Sequence, residues 1–189
     1  MDERRIYYFS PVTIEMNDFP SKGFILDIGG GGEGVIGRLK GEAVIAIDVS
    51  RQELEEAPGG PLKIVMDARE LMFLNAAFST VTAFFSLMYM KNMEERRKVF
   101  AEVMRVLKPG GTFRVWDVDL SEPPITGKDI YVVQLCCRVG GMEIETGYGQ
   151  RWPSQPYGEE NYISMAKEAG FRLLNRERNE HTFSLVFQK

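Results

Sequence analysis

Short apolar runs broken by glycines and acids set the rhythm of this chain. Ile25-Leu26-Asp27-Ile28 runs into Gly29-Gly30-Gly31-Gly32-Glu33-Gly34, after which Val35-Ile36-Gly37-Arg38-Leu39 resumes with helical spacing. The pattern predicts a first strand over 25–28, a glycine turn, and a short helix closing at Gly41. Ala43–Asp48, Lys63–Asp67 and Thr80–Ser86 read as three more strands, the first two ending on an acid. The last of them shows no alternation, as expected where both faces are covered. Arg51–Ala57 is a brief charged helix stopped by Pro58-Gly59-Gly60-Pro61. Asn92 and Glu95 have capping-box spacing ahead of a helix whose inner face is Phe100, Val103, Met104 and Leu107. Glu94, Arg96, Lys98, Glu102 and Arg105 fall on its wet side. Lys108-Pro109-Gly110-Gly111 ends that helix, and residues 112–117 form the fifth strand. Strands alternating with helices imply an α/β fold with a mostly parallel sheet and right-handed crossovers.

The beat fails in two places. Residues 1–22 mix aromatics with Glu15, Asp18 and Pro20, and read as an irregular arm or short helix packing near the site. Residues 118–158 read as an insertion, with strands over 130–139 and 142–146 joined at Gly140-Gly141 and an irregular stretch over 147–153. Beyond it, Glu159–Ala169 is an amphipathic helix closed by Gly170. Residues 171–178 and 181–188 should pair antiparallel about Asn179-Glu180.

Composition narrows the partners. A length of 189 residues suits one domain over 1–189, with 44% apolar and 26% charged residues. The net charge is −4 and no basic run stands out, so free nucleic acid is not expected as a partner. No apolar run is long enough to span a bilayer, and Met1–Arg5 leads into no signal-type segment; a cytoplasmic protein without a membrane partner is the expectation. Adjacent Cys136 and Cys137 are poorly placed for a disulfide and read as reduced strand filler. With His181 alone they supply too few ligands for a metal, so none is expected.

The candidate chemistry lies at the glycine turn. Gly29, Gly31 and Gly34 satisfy G-x-G-x-x-G, and Asp48 follows at a plausible place for a ribose-binding carboxylate, which admits an NAD-type oxidoreductase. Asp27, however, stands two residues before the first glycine. A carboxylate there can hold the turn's N–H groups and face an ammonium, whereas it repels a pyrophosphate. S-adenosylmethionine carries both an ammonium and a sulfonium.

Leu26–Gly34, Ala46-Ile47-Asp48-Val49-Ser50, Val65-Met66-Asp67-Ala68 and Leu107-Lys108-Pro109-Gly110-Gly111 together resemble the motifs of the class I S-adenosylmethionine-dependent methyltransferases, from about Phe24 to the C-terminus. The resemblance implies a Rossmann-like doubly wound sheet, mostly parallel, with a C-terminal antiparallel strand. One departure is Glu33, where a third glycine often lies. Carried over, the resemblance puts Gly29, Gly30 and Gly31 beside the methionine moiety and Asp27 near its ammonium. Asp48 would take the ribose hydroxyls, Asp67 the adenine amino group and the Ala68 N–H a ring nitrogen. Val49 and Met66 would sandwich the adenine, with Phe85 also on the cofactor side. The bland reading of Asp48 and Asp67 is that they cap the loops and helices they precede.

The fourth-strand exit Phe85–Met90 lacks N-P-P-Y or D-P-P-Y and carries Met88-Tyr89 where many relatives have a histidine pair, so no general base is evident. Tyr89 is the nearest polar candidate, as catalytic group or substrate contact. Asp117, Tyr148 and Trp152 are further substrate-side candidates, Asp117 competing with a reading as a solvated strand end. Substrate identity should reside in the arm and the 118–158 insertion, the latter as lid or packing flap; His181 has no assigned role. The acceptor is a small molecule or a protein. A cofactor-retaining module without catalysis is the remaining alternative.

Overall fold

The apolar runs assemble into a seven-stranded sheet in this computed structural model, which describes residues 5–122 and 127–189. Residues 1–4 of the expected arm and 123–126 of the expected insertion lie outside the described residues. The strands are β1 (Ile6–Tyr8), β2 (Val12–Met16), β3 (Ile25–Ile28), β4 (Val44–Asp48), β5 (Leu62–Val65), β6 (Phe78–Phe84), β7 (Leu107–Val118), β8 (Ile130–Val139), β9 (Met142–Arg151), β10 (Arg172–Asn179) and β11 (Thr182–Gln188). The helices are α1 (Val35–Lys40), α2 (Arg51–Glu56), α3 (Met93–Val106) and α4 (Glu159–Glu168).

The main sheet runs β10-β11-β7-β6-β3-β4-β5. β3 to β7 are parallel, and β11 is antiparallel to both of its neighbours. From β3 the chain steps through α1 to β4 on one side; from β6 it steps through α3 to β7 on the other. Right-handed crossovers therefore place α1 and α2 on one face and α3 on the opposite face. A reversal of this kind opens a crevice at the carboxyl ends of β3 and β6. This is the expected Rossmann-like doubly wound sheet with its antiparallel C-terminal strand.

Burial explains why these strands carry so few polar residues. Ile25, Leu26, Val81 and Val115 have no exposed surface, and Phe100 packs edge-on to Phe113, Tyr162, Phe171 and Phe187 beneath α3. Asn92 caps α3 as expected, its Oδ1 accepting the Glu95 N–H at 2.9 Å. The Glu95 carboxylate, instead of closing a capping box, accepts from the Lys91 N–H and pairs with Arg69. Arg96 departs further from the helical pattern: it is 2% exposed, because α4 and Tyr157 cover what would be the wet side of an isolated helix. No described helix is long and apolar enough to cross a membrane.

The arm and the insertion are one structure. β1 and β2 both run parallel to β8, pairing with its successive halves, while β9 pairs antiparallel along the other edge. The arm is thus strand rather than irregular chain or helix, since β8 supplies the partner that its sequence alone lacks. For the same reason β9 continues to Arg151 through residues 147–151, which read as irregular. Tyr131, Val133, Leu135, Cys137 and Val139 turn one face of β8 into the core, so the small sheet is packed against the main body. Cys136 and Cys137 are free thiols in β8, as the sequence suggested.

Candidate functional site

The glycine turn is fastened to its surroundings by backbone. The N–H groups of Gly29 and Gly30 donate to the Ile47 carbonyl at 2.8 and 3.1 Å, and that of Gly32 to the Glu53 carbonyl at 2.8 Å. These bonds correct the expectation that Asp27 holds the turn. Asp27 is 3% exposed, sits beneath Gly30, and accepts from the Thr82 hydroxyl at 2.7 Å. Burial pushes its carboxyl up to about 7, partly offset by Thr82 and reinforced by the charge of Asp48.

Above the turn lies a cavity of about 680 Å³, within the range of small-ligand sites. Of the expected cofactor residues, Gly29, Gly31, Asp48, Val49, Met66, Asp67, Ala68 and Phe85 line it, together with Tyr89 and Tyr148. Asp27, Gly30, Asp117 and Trp152 do not. Asp117 is fully buried instead of lying at a solvated strand end: α4 brings the Tyr162 hydroxyl, which donates to it at 2.8 Å, and burial pushes its carboxyl up to about 6. Trp152 packs on Tyr131 at 4.9 Å and lines a second, smaller hollow.

Each strand-end acid has two tasks. Asp48 accepts the Ser50 N–H at 2.8 Å, and Ser50 in turn caps α2 through the Glu53 N–H. Its Oδ2 remains beside the turn, 3.0 Å from where a Cβ on Gly31 would stand. Asp67 is held by Arg69, which donates to both carboxylate oxygens, keeps that carboxyl below its usual range and bridges on to Glu95 at 2.9 Å. A ligand amino group at Asp67 therefore meets a carboxylate already engaged by a cation. Neither acid caps a helix, since Ser50 caps α2 and no helix directly follows Asp67; each instead accepts the N–H two residues on and holds its own turn, which is compatible with facing the cavity.

The place of Glu53 in the cavity, the backbone of Phe85 and the partners of Glu33 were not read from the sequence. Glu53 projects from the first turn of α2, and its Cβ would lie 2.5 Å from a Cβ on Gly31; burial raises its carboxyl, as do the charges of Glu56, Asp48 and Glu33. Its spacing from Asp48 was the available signal. Phe85 is buried with φ 47°, an unfavourable conformation for an aromatic residue, and stacks on Tyr148 at 5.6 Å. Glu33, the departure from the glycine pattern, accepts from the Tyr148 hydroxyl at 3.0 Å and from Thr146. It ties the small sheet to the glycine turn. Glu33→Ala is expected to raise hydrogen exchange of the β9 amides about thirtyfold, for the loss of two hydrogen bonds at roughly 1 kcal/mol each; unchanged exchange at 144–150 would mean the hairpin is held by other contacts.

The acids Glu33, Asp48, Glu53, Asp67 and Glu95 line the cavity against the bases Arg69 and Lys91. That balance suits a ligand with cationic groups, and a pyrophosphate at the turn would face Glu33 and Glu53. Tyr89 is half-exposed at the rim; partial burial, then Glu33 and Glu53, push its phenol up to about 12. It stays protonated at neutral pH and is a hydrogen-bond donor, not a base. His181 stacks under Phe9 of the arm at 4.3 Å and plays no part in the cavity.

Residues 26–115 match a family described as a methyltransferase domain. The chain is 33% identical over 117 residues to a demethylmenaquinone methyltransferase of Clavibacter sepedonicus, covering 56% of this chain and 44% of that protein. It is 26% identical over 167 residues to a ubiquinone/menaquinone biosynthesis C-methyltransferase of Photorhabdus laumondii, covering 78% and 65%. The chain thus spans less than two thirds of the length of these relatives. A SAM-dependent methyltransferase of Methanosarcina mazei has a similar fold, with a TM-score of 0.63 and 20% identity over 90% of this chain and 94% of the other. None of these similarities supports the NAD-type reading.

Proposed function

We infer that this chain is a class I S-adenosylmethionine-dependent methyltransferase, that its larger cavity holds S-adenosylmethionine and that it moves the methyl group to a small-molecule acceptor. The observation that carries this is the acid-lined cavity at the topological switch point, with Asp48 and Asp67 at the ends of neighbouring strands. The residues fit the group: only glycine is accommodated at Gly29 and Gly31, where a Cβ would meet Ser86 and Glu53, and the carboxylates of Asp48, Glu53 and Glu33 line the same cavity.

Asp48 would receive the ribose hydroxyls through the oxygen facing the turn, and Val49, which is 68% exposed at the rim, would cover one side of the adenine with Met66 opposite. Asp67 would reach the adenine amino group while keeping its bond to Arg69, and the Ala68 N–H would meet a ring nitrogen. Gly29 to Gly31 would admit the methionine end, its ammonium drawn by Glu33 and Glu53 and, from below, by Asp27. When bound, S-adenosylmethionine supplies a methyl on a sulfonium, a strong electrophile with a neutral leaving group. The chain's own contribution is then positioning and exclusion of water. Tyr148 and Phe85 form an aromatic wall on the substrate side, and Tyr89 can orient an acceptor by donating a hydrogen bond.

Relatives named for quinone biosynthesis support a small molecule over a protein as acceptor. Calorimetry with S-adenosylhomocysteine tests the cofactor half. Wild type should bind, and Asp48→Ala should bind at least tenfold more weakly, for the loss of hydrogen bonds to a charged acceptor. Absence of binding heat in wild type, or equal affinity in the variant, overturns the reading. A module without catalysis would bind S-adenosylhomocysteine but label no compound in an extract supplied with methyl-labelled S-adenosylmethionine.

A further inference from the structure

A second hollow of about 200 Å³ adjoins the first and shares Tyr89, Met90 and Lys91 with it. Its charge is opposite to its neighbour's. Lys91, Arg96 and Arg151 line it, and among the described residues no acid does. Its walls are aromatic, with Tyr131, Trp152 and Tyr157 lining it beside Arg96, Met88 and Met90.

Three donors in this hollow are under-used. Arg96, 2% exposed, forms no ion pair with a described residue; its guanidinium lies 3.9 Å from the centre of the Tyr157 ring and donates to the Tyr162 hydroxyl at a long 3.4 Å. The carboxylate that acts on it, Asp117, is reached only through Tyr162 and is itself satisfied by that hydroxyl and the Val118 N–H. The hydroxyls of Tyr131 and Tyr157 are neighbours, in residues 0% and 2% exposed, yet neither makes an aligned hydrogen bond. A buried cation without a direct counter-ion is costly, and so are two buried hydroxyls that have each other and Arg96 as neighbours but no well-aligned bond. A negatively charged oxygen in the hollow would offer Arg96 a counter-ion and the neighbouring hydroxyls an acceptor. The size sets the rest of the ligand, since a cavity of about 150 Å³ already admits a benzene ring.

We propose that this hollow is the acceptor site and takes a single-ring aromatic anion, its charged oxygen held by Arg96, Tyr131 and Tyr157 and its ring beside Trp152. The two cavities then divide a reacting pair by charge: a cationic donor over the acids, an anionic acceptor over the bases, meeting at Tyr89. This rests on the reading of the larger cavity as the S-adenosylmethionine site, but its test does not.

The probe is 4-nitrophenolate, titrated at pH 8.5 and followed by its visible absorbance, with neutral nitrobenzene as control. Wild type should bind the anion at least tenfold more tightly than nitrobenzene and lower the apparent pKa of the bound phenol. Tyr131→Phe and Tyr157→Phe remove hydroxyls that have no aligned partner, so each should melt at or above the wild-type temperature and retain S-adenosylhomocysteine binding while losing about tenfold in affinity for the anion. Equal affinity for the two probes, or unchanged anion affinity in both variants, overturns the proposal. Should one variant fail to fold, the other and Arg96→Lys carry the comparison, the lysine keeping the charge but not the guanidinium fork. Anion binding without S-adenosylhomocysteine binding would remove the cofactor reading alone; the converse would remove this proposal alone.

Discussion

Gly29→Ala is expected to lower the melting temperature by about 10 °C and to abolish S-adenosylhomocysteine binding. Gly29 has φ +69°, and a Cβ placed on it would stand 2.3 Å from the Ser86 Cβ. Left-handed backbone costs an L-residue about 1–2 kcal/mol, and the overlap adds about 1–3 kcal/mol. In a chain of this length each kcal/mol moves the midpoint by about 2–4 °C. Ser86 cannot easily retreat, because its hydroxyl donates to the Ile28 carbonyl at 2.7 Å, tying the exits of β3 and β6 together. Relief would instead displace the Gly29 and Gly30 N–H groups from the Ile47 carbonyl and deform the cavity floor. Gly110→Ala is the control: φ is +75° there, but no atom lies within 4 Å of the new Cβ, so only the backbone penalty applies. Thermal melts of the two variants would separate clash from strain, and equal losses would show that the turn yields without cost.

Asp27→Asn is expected to stabilise the ligand-free protein above neutral pH by up to about 4 kcal/mol, the largest effect foreseen for an isosteric change. Burial raises the folded carboxyl from its ordinary value of 3.8 to about 7. Between those values the folded state holds a proton that the unfolded state has released. The stability this group contributes is therefore complete below 3.8 and is lost as pH rises through about 7, at no more than about 1.4 kcal/mol per pH unit. Asp117, raised to about 6, acts in the same direction over a narrower window. His181, lowered by burial, acts oppositely below its ordinary value of 6.5. Asparagine keeps an acceptor for Thr82 without the buried charge, so melting curves from pH 4 to 8.5 should be flatter for the variant than for wild type. Parallel curves would mean that Asp27 ionises freely in the fold. An ammonium-bearing ligand near the turn offsets the same burial cost, so saturating S-adenosylhomocysteine should reduce the wild-type slope.

The parallel strands and the turn were legible because their signals are local. β3 matched its expected residues, and β4, β5 and β6 fell within about two residues of theirs, since an apolar run closed by glycine or acid identifies itself without reference to distant chain. The acids at the ends of β4 and just beyond β5 were legible for the same reason. Arg96 and Asp117 were misread because a helical wheel and a strand end describe an element in isolation, and α4 and Tyr157 later cover both. Glu33 was visible as an oddity, but its partners Thr146 and Tyr148 lie more than a hundred residues away.

The sequence by itself determined the alternating α/β order, the glycine turn at its first strand and the acids at the strand ends beside it, all consequences of short-range pattern and backbone sterics; the doubly wound arrangement came from the family resemblance. Tertiary structure alone decided that the arm and the insertion form one sheet, that Glu33 joins this sheet to the turn, and that a basic aromatic hollow stands beside the acidic cavity. Strand pairing and charge burial depend on which distant surfaces meet, and nothing in the neighbouring residues of one segment encodes that meeting.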